Sequence, residues 1–322
     1  MNGRLAALIL ALAILVRPLA ADAQQAAKVW RLGYLTPARE VVRATLSDAL
    51  RELGYVEGQT VRFEVRAAEN HLDRLPALAA ELVRAKVDII VAVSPPAIQA
   101  ARQATRTIPI VMAFWGGEGL IESGIAASFA RPGANVTGVY MLAAELDAKR
   151  LELLLEAVPN ATRVAVLNPG RGWGMFTEVR HVAQAARVQL YITDVPGSAS
   201  YAPVFETMTK ERVDALLVPS FPRFSQEHQR IIEAAAKRRI PAMYEWGEIA
   251  RAGGLMAYGP VIAELNRRVA IYVDRILKGA QPASLPIEQP TTFELVINVK
   301  TATALGLTIP QSLLIRADAI IE

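Results

Sequence analysis

The stretch Val87-Asp88-Ile89-Ile90-Val91-Ala92-Val93-Ser94-Pro95-Pro96 decides the architecture. VDIIVAV is apolar on both faces, as a strand is when helices cover it above and below. Ser94 then opens a helix, because serine is a favoured N-cap and proline is tolerated in a first turn. A buried strand running straight into a helix start is half of a βαβ unit. Similar runs recur at Ile108–Phe114 (IPIVMAF), Val164–Leu167 and Val213–Val218 (VDALLV). Val61, Phe63 and Val65 alternate with polar residues and predict a more exposed strand.

Helical patterns lie between these runs. Val42, Leu46, Leu50 and Leu53 share one face, and Gly54 ends the run. Leu75, Leu78 and Leu82 do the same after Asp73, which reads as their N-cap. Leu142–Val158, Thr177–Arg187, Gln226–Arg239 and Ala263–Leu277 also read as helices. Strand and helix alternating at this spacing predict an α/β fold with parallel sheets. One sheet would need about ten strands or more. Two doubly wound parallel-sheet lobes of about five strands each, joined by a hinge, fit the length better. The first lobe gives way to the second near Val139–Leu142. The proline-rich stretch Gly279–Pro290 (GAQPASLPIEQP) reads as a connection that brings the chain back across the lobes.

The N-terminus is unlike the rest. Arg4 precedes an unbroken apolar run from Leu5 to Val16; Arg17 and Pro18 break it, and Ala21-Asp22-Ala23 offers a small-x-small cleavage site. This layout predicts a secretory signal peptide over residues 1–23 and a periplasmic destination. Such a run spans about 18 Å as a helix, short of a ~30 Å hydrocarbon core.

The 322-residue chain has no cysteine, which excludes disulfides, thiolate metal sites, a cysteine nucleophile and a lipid-modified cysteine. Its formal charge of +4 is scattered, with no run of like charges suited to a nucleic-acid tail. The three histidines, His71, His181 and His228, fall in or near helices. Neither H-E-x-x-H nor G-x-S-x-G occurs. The expectation is a protein without catalytic residues, metal, cofactor or nucleic-acid partner.

A series of short motifs stands in order: Glu52–Gly58 (ELGYVEG), Arg74–Val83 (RLPALAAELV), Ala130–Gly138 (ARPGANVTG), Lys149–Leu154 (KRLELL), Gly253–Gly259 (GGLMAYG), Pro290–Lys300 (PTTFELVINVK) and Ala304–Leu307 (ALGL). Together they resemble the ABC-transporter substrate-binding family that includes tryptophan-binding lipoproteins. The resemblance implies a type I periplasmic binding-protein fold, with two lobes joined by three crossovers and a ligand in the cleft. It implies lobe I over 28–140 and 260–289, and lobe II over 141–259 and 290–322. It also implies a small-molecule ligand, an ABC-transporter permease as membrane partner, and a monomer. Family members commonly carry an Asp-Pro pair where this chain has Gly119-Leu120. Many also have a second Asn-Pro where this chain has Gly170-Arg171-Gly172-Trp173-Gly174. No amino-acid ligand is therefore carried over.

In open α/β sheets a ligand lies beyond the carboxyl ends of the strands. That rule selects the loops 34–38, 94–97, 114–119, 168–176, 220–224 and 244–247, and within them the candidate ligand-binding residues. Thr36, Ser94, Pro95 and Asn168 are the polar or helix-opening candidates. The helix start at Ser94 offers either free N–H groups for an anion or a plain cap. Trp115, Trp173, Phe221 and Tyr244 are the aromatic walls. Arg171 reads as a carboxylate partner or a solvated loop arginine, and Glu245 as a cation partner or a surface charge. The expected ligand is a small organic molecule, aromatic or carboxylate-bearing. Two alternatives remain. Strand 164–167 with glycines 170–174 and Asp194 mimics an NAD fingerprint, although its spacing is G-x-G-x-G. A sensor that captures a ligand without a transporter is equally compatible with the residues.

Overall fold

The computed structural model describes residues 28–38, 43–115, 119–170, 176–195 and 200–322, without the side chains of Arg43 and Trp115. Residues 1–23, where the sequence predicts a signal peptide, lie outside the described residues. The chain begins with β1 (Trp30–Thr36), α1 (Arg43–Glu52), β2 (Val61–Ala67), α2 (Leu75–Arg84), β3 (Ile89–Val93), α3 (Ser94–Ala104), β4 (Ile110–Trp115) and β5 (Val136–Tyr140). These strands form one parallel sheet in the order β2-β1-β3-β4-β5. All of β3 is buried, as VDIIVAV requires. Edge strand β2 is only partly buried, as its alternation requires. Burying an aliphatic side chain of this size stabilises the fold by about 1.5–3 kcal/mol.

The second set is α4 (Ala143–Ala157), β6 (Arg163–Asn168), α5 (Thr177–Ala185), β7 (Gln189–Asp194), α6 (Tyr201–Lys210), β8 (Ala215–Leu217), α7 (Pro222–Gln226), α8 (His228–Arg238), β9 (Ala242–Tyr244), α9 (Gly247–Arg251) and β10 (Met256–Pro260). The next helix, α10 (Ile262–Leu277), returns to the first sheet and packs on α1, β4 and β5. Beyond it the backbone ties to the edge of β5: Tyr140 donates to the Glu288 carbonyl at 2.8 Å, and Glu288 to the Gly138 carbonyl at 3.0 Å. The chain then re-enters the second sheet with β11 (Phe293–Asn298), α11 (Val299–Leu305), α12 (Gln311–Arg316) and β12 (Ala319–Ile321).

The molecule is thus an α/β protein of two doubly wound lobes. The seven-stranded sheet runs β12-β11-β10-β9-β8-β6-β7. The first sheet has the expected five parallel strands; the second departs from that expectation, since β11 runs antiparallel to β10 and β12 pairs with β11. A strand arriving from the other lobe is free of the right-handed crossover that keeps consecutive βαβ strands parallel. Two helix starts also differ. Asp73 sits in a 3-10 turn, Leu72–Arg74, and Arg74 occupies the N-cap position of α2 without a side-chain cap. Val93 occupies the N-cap position of α3, and Ser94 is its first residue. No helix among the described residues is long and apolar enough to cross a membrane.

Candidate functional site

A cavity of about 320 Å³ lies between the carboxyl ends of the two sheets. Its first wall is built from strand ends: Thr36 closes β1, Val93 closes β3, Phe114 is next to last in β4, and Met141 follows β5. Ser94 and Pro95 complete it. Ser94 holds φ +72° and Phe114 φ +66°, conformations that cost a side-chain-bearing residue about 1–3 kcal/mol and collect at functional sites. Ser94 is 4 % exposed, and its Oγ has no hydrogen-bond partner. The serine is therefore not the helix cap expected from the sequence: Val93 holds the N-cap position, and the Ser94 hydroxyl makes no capping hydrogen bond. Pro95 and Pro96 stand in that turn as expected, and neither carries an N–H.

The second wall follows β8 and β9. Ser220 and Phe221 lie just beyond β8, Ser225 comes from α7, and Glu245 and Trp246 join β9 to α9. Phe114 and Trp246 meet across the cavity edge, their ring centroids 6.1 Å apart in an edge-to-face arrangement.

Behind Glu245 is a buried charge cluster. Arg150 is 0 % exposed; its Nη1 donates to Asp147 Oδ1 at 2.5 Å and to Ser220 Oγ at 2.9 Å, and its Nε to the Tyr258 carbonyl at 2.6 Å. Nη2 has no partner, and the residue does not line the cavity. Glu245 is 3 % exposed and accepts hydrogen bonds from the Ser225 and Ser220 hydroxyls. Trp246 Nε1 donates to Ser225 Oγ at 3.2 Å, so indole, hydroxyl and carboxylate form one chain. Burial pushes the Glu245 carboxyl up to about 7, against the lowering by Arg150 and the two serines. Burial likewise raises Asp147, although Arg150 opposes it. Gly259 permits the close packing here, since a Cβ on it would collide with the Glu245 carbonyl oxygen.

Five of the sequence candidates meet at the cavity: Thr36, Ser94, Pro95, Phe221 and Glu245. Two do not. Tyr244 is 1 % exposed and packs into the core beneath Gly254, because the last residue of β9 points to the opposite face from Glu245. Asn168 is absent from the lining; its Nδ2 donates to Asp194 Oδ1 at 2.6 Å, tying the ends of β6 and β7 together. Trp115 ends β4, but its side chain lies outside the described residues, as do Arg171 and Trp173. The glycine stretch 171–174 of the NAD-like motif falls there too.

Sequence reasoning missed Phe114, Trp246 and His228 as lining residues. The first two lay inside the selected loops, and the strand-end rule could have promoted them. His228 gave no such signal, since it belongs to the start of a helix. Its Nδ1 lies 2.6 Å from the Ser225 carbonyl, so that nitrogen carries a proton and donates it to the carbonyl. Among the described residues no group of His, Asp and Glu is placed to hold a metal ion.

Two lobes with a cavity at the carboxyl ends of their sheets define a binding protein of the type I periplasmic fold. Residues 35–321 match the model of the family described as ABC transporter substrate binding protein, and the chain belongs to that family. It is similar to a tyrosine-binding protein of Clostridioides difficile, 24 % identical over 275 residues, which covers 84 % of this chain and 78 % of that one. The solved ABC domain of Streptococcus pneumonia in complex with L-Trp superposes with a TM-score of 0.80 at 25 % identity, covering 91 % of this chain and 100 % of that one. A conserved domain protein from Vibrio cholerae gives 0.82 at 25 % identity, with the same coverage. The chain is an ABC-type substrate-binding protein; the family comprises extracytoplasmic proteins that bind small molecules and work with a transporter.

Proposed function

We propose that this chain is a periplasmic, monomeric solute receptor that takes a small aromatic molecule into the cavity between its lobes, closes over it by a hinge movement, and delivers it unchanged to a membrane permease. The observation that carries the reading is the cavity itself. Both sheets supply strand-end residues to it, so a ligand there touches both lobes and stabilises their closed arrangement. Phe114, Phe221 and Trp246 give it aromatic walls suited to a flat ring. The relatives' tyrosine and tryptophan ligands agree with an aromatic guest. The residues proposed to bind it are Thr36, Ser94, Pro95, Phe221 and Glu245, with Phe114 and Trp246 added. The signal segment 1–23 is proposed to direct the chain out of the cytoplasm and to be removed.

The test is native extraction of the protein, identification of the small molecule that co-purifies, and thermal denaturation with and without it. A ligand at about 100 times its Kd adds about 2.7 kcal/mol of stability. Scattering should show a smaller radius of gyration on saturation. An unchanged radius, or chemical conversion of the bound molecule, would remove hinge closure or the receptor role respectively.

A further inference from the structure

The two walls of the cavity are electrostatically unequal. The first supplies apolar side chains and hydroxyls. The second supplies Glu245, with Glu248 at the rim. Among the described residues no lysine or arginine lines the cavity. Arg150 does not make up the difference, since it stands behind Glu245 with Asp147 bound to it. Two buried carboxyl groups therefore share one guanidinium, and the one with less of it faces the cavity. His228 is the remaining titratable group on the lining.

The helix start at Ser94 does not restore a strong anion site. Of the N–H groups its first turn would offer, Pro95 and Pro96 remove two. The same turn carries a buried, unpartnered hydroxyl, a group that hydrogen-bonds a donor as readily as an acceptor.

Building on the aromatic-solute reading above, we propose that the ligand is an aromatic primary amine bound as its monocation, with the ammonium on Glu245 and the ring between Phe114, Phe221 and Trp246. The geometry suits both ends. Trp246 is joined to Glu245 through the Ser225 hydroxyl, so an ammonium at the carboxylate lies at the foot of the aromatic wall. The two serine hydroxyls hold the carboxylate in place before the ligand arrives, which lowers the ordering cost of binding. Burial leaves Glu245 balanced between its acid and its carboxylate near neutrality, and an arriving ammonium completes the ionisation. A free carboxylate on the ligand finds no cationic partner among the described residues. The proposal predicts that the amine is preferred over the zwitterionic amino acid that carries the same ring.

The test uses the full purified chain and four indole probes of matched length: tryptamine, L-tryptophan, indole-3-propionate and tryptophol. The matched phenyl series runs in parallel, with Kd read by calorimetry. In at least one series the amine should bind tightest, and the acid weakest. Glu245→Gln, an isosteric change, should weaken the amine about tenfold to a hundredfold. The loss for the matched alcohol should be much smaller, and this difference separates a charge contact from a folding defect. Tightest binding of the acid or the amino acid in both series would overturn the proposal. So would equal losses for amine and alcohol in Glu245→Gln, or no amine binding at all. The aromatic-cavity reading is judged separately, by whether Phe114→Ala and Trp246→Ala weaken the neutral alcohols. If they do while the amine gains nothing over the alcohol, the cavity stands and the cation site falls.

Discussion

The first wall of the cavity and the second are both made from strand ends, yet they are built on opposite principles. The wall around Ser94 and Phe114 stores its specificity in the backbone: two residues hold left-handed conformations, and the buried Ser94 hydroxyl has no partner. The wall around Glu245 stores it in a network, where Trp246, Ser225, Ser220, Arg150 and Asp147 are linked through hydrogen bonds. A strained wall fixes shape and tolerates a change of side chain. A networked wall fixes charge, and losing one member leaves the others buried and unmatched.

The largest expected effect that follows is on Arg150. Arg150→Met should destabilise the protein by about 3–5 kcal/mol, because Asp147 loses its ion-pair partner in a buried position. Adding Asp147→Leu should recover much of that loss. Urea denaturation of the single and double variants measures both, and equal stabilities for wild type and Arg150→Met would break the contrast between the walls.

A smaller effect should appear in the pH dependence of stability without ligand. Folded Glu245 keeps its proton up to about pH 7, whereas its ordinary value is 4.5. Between those values the folded state binds more protons than the unfolded one, so the Glu245 contribution to stability falls as pH rises from about 4.5 to 7. Glu245→Gln should flatten that part of the profile. A slope that Glu245→Gln leaves unaltered would assign it to other groups, Asp147 first.

The smallest expected effect lies on the strained wall. Ser94→Gly should raise stability by up to about 1 kcal/mol, by relieving the φ of +72° and removing a buried unpartnered hydroxyl. Ser94→Ala keeps the strain and should gain less. A loss of stability in Ser94→Gly would mean that the conformation carries no strain, and would bring the two walls closer in kind.

How much of this was legible beforehand varies element by element. Strand β3 and the start of α3 were readable because VDIIVAV admits one environment and Pro95-Pro96 one position. Helix α10 was readable too, but not which sheet it covers, since an amphipathic stripe names no partner. Within the site, Glu245 and Tyr244 show the limit. Tyr244 ends β9 and Glu245 follows it, and the pleat sends the second to the cavity and the first to the core. Sequence position locates a strand end to within a residue or two, and a shift of one residue reverses the face.

The sequence by itself determined the α/β class, the strand ends at which a site can form, the absence of thiol chemistry, and the family, through motifs whose order is as informative as their content. These are local or cumulative properties, readable from periodicity and turn chemistry. Only the tertiary structure decided that β11 returns antiparallel, that Arg150 and Asp147 stand behind Glu245 from a helix about a hundred residues earlier, and that His228 turns to the cavity. The physical reason is that burial and electrostatic pairing depend on distance in space. A carboxylate is raised or held by what surrounds it, and nothing in the residues adjacent to Glu245 in the chain specifies a guanidinium behind it.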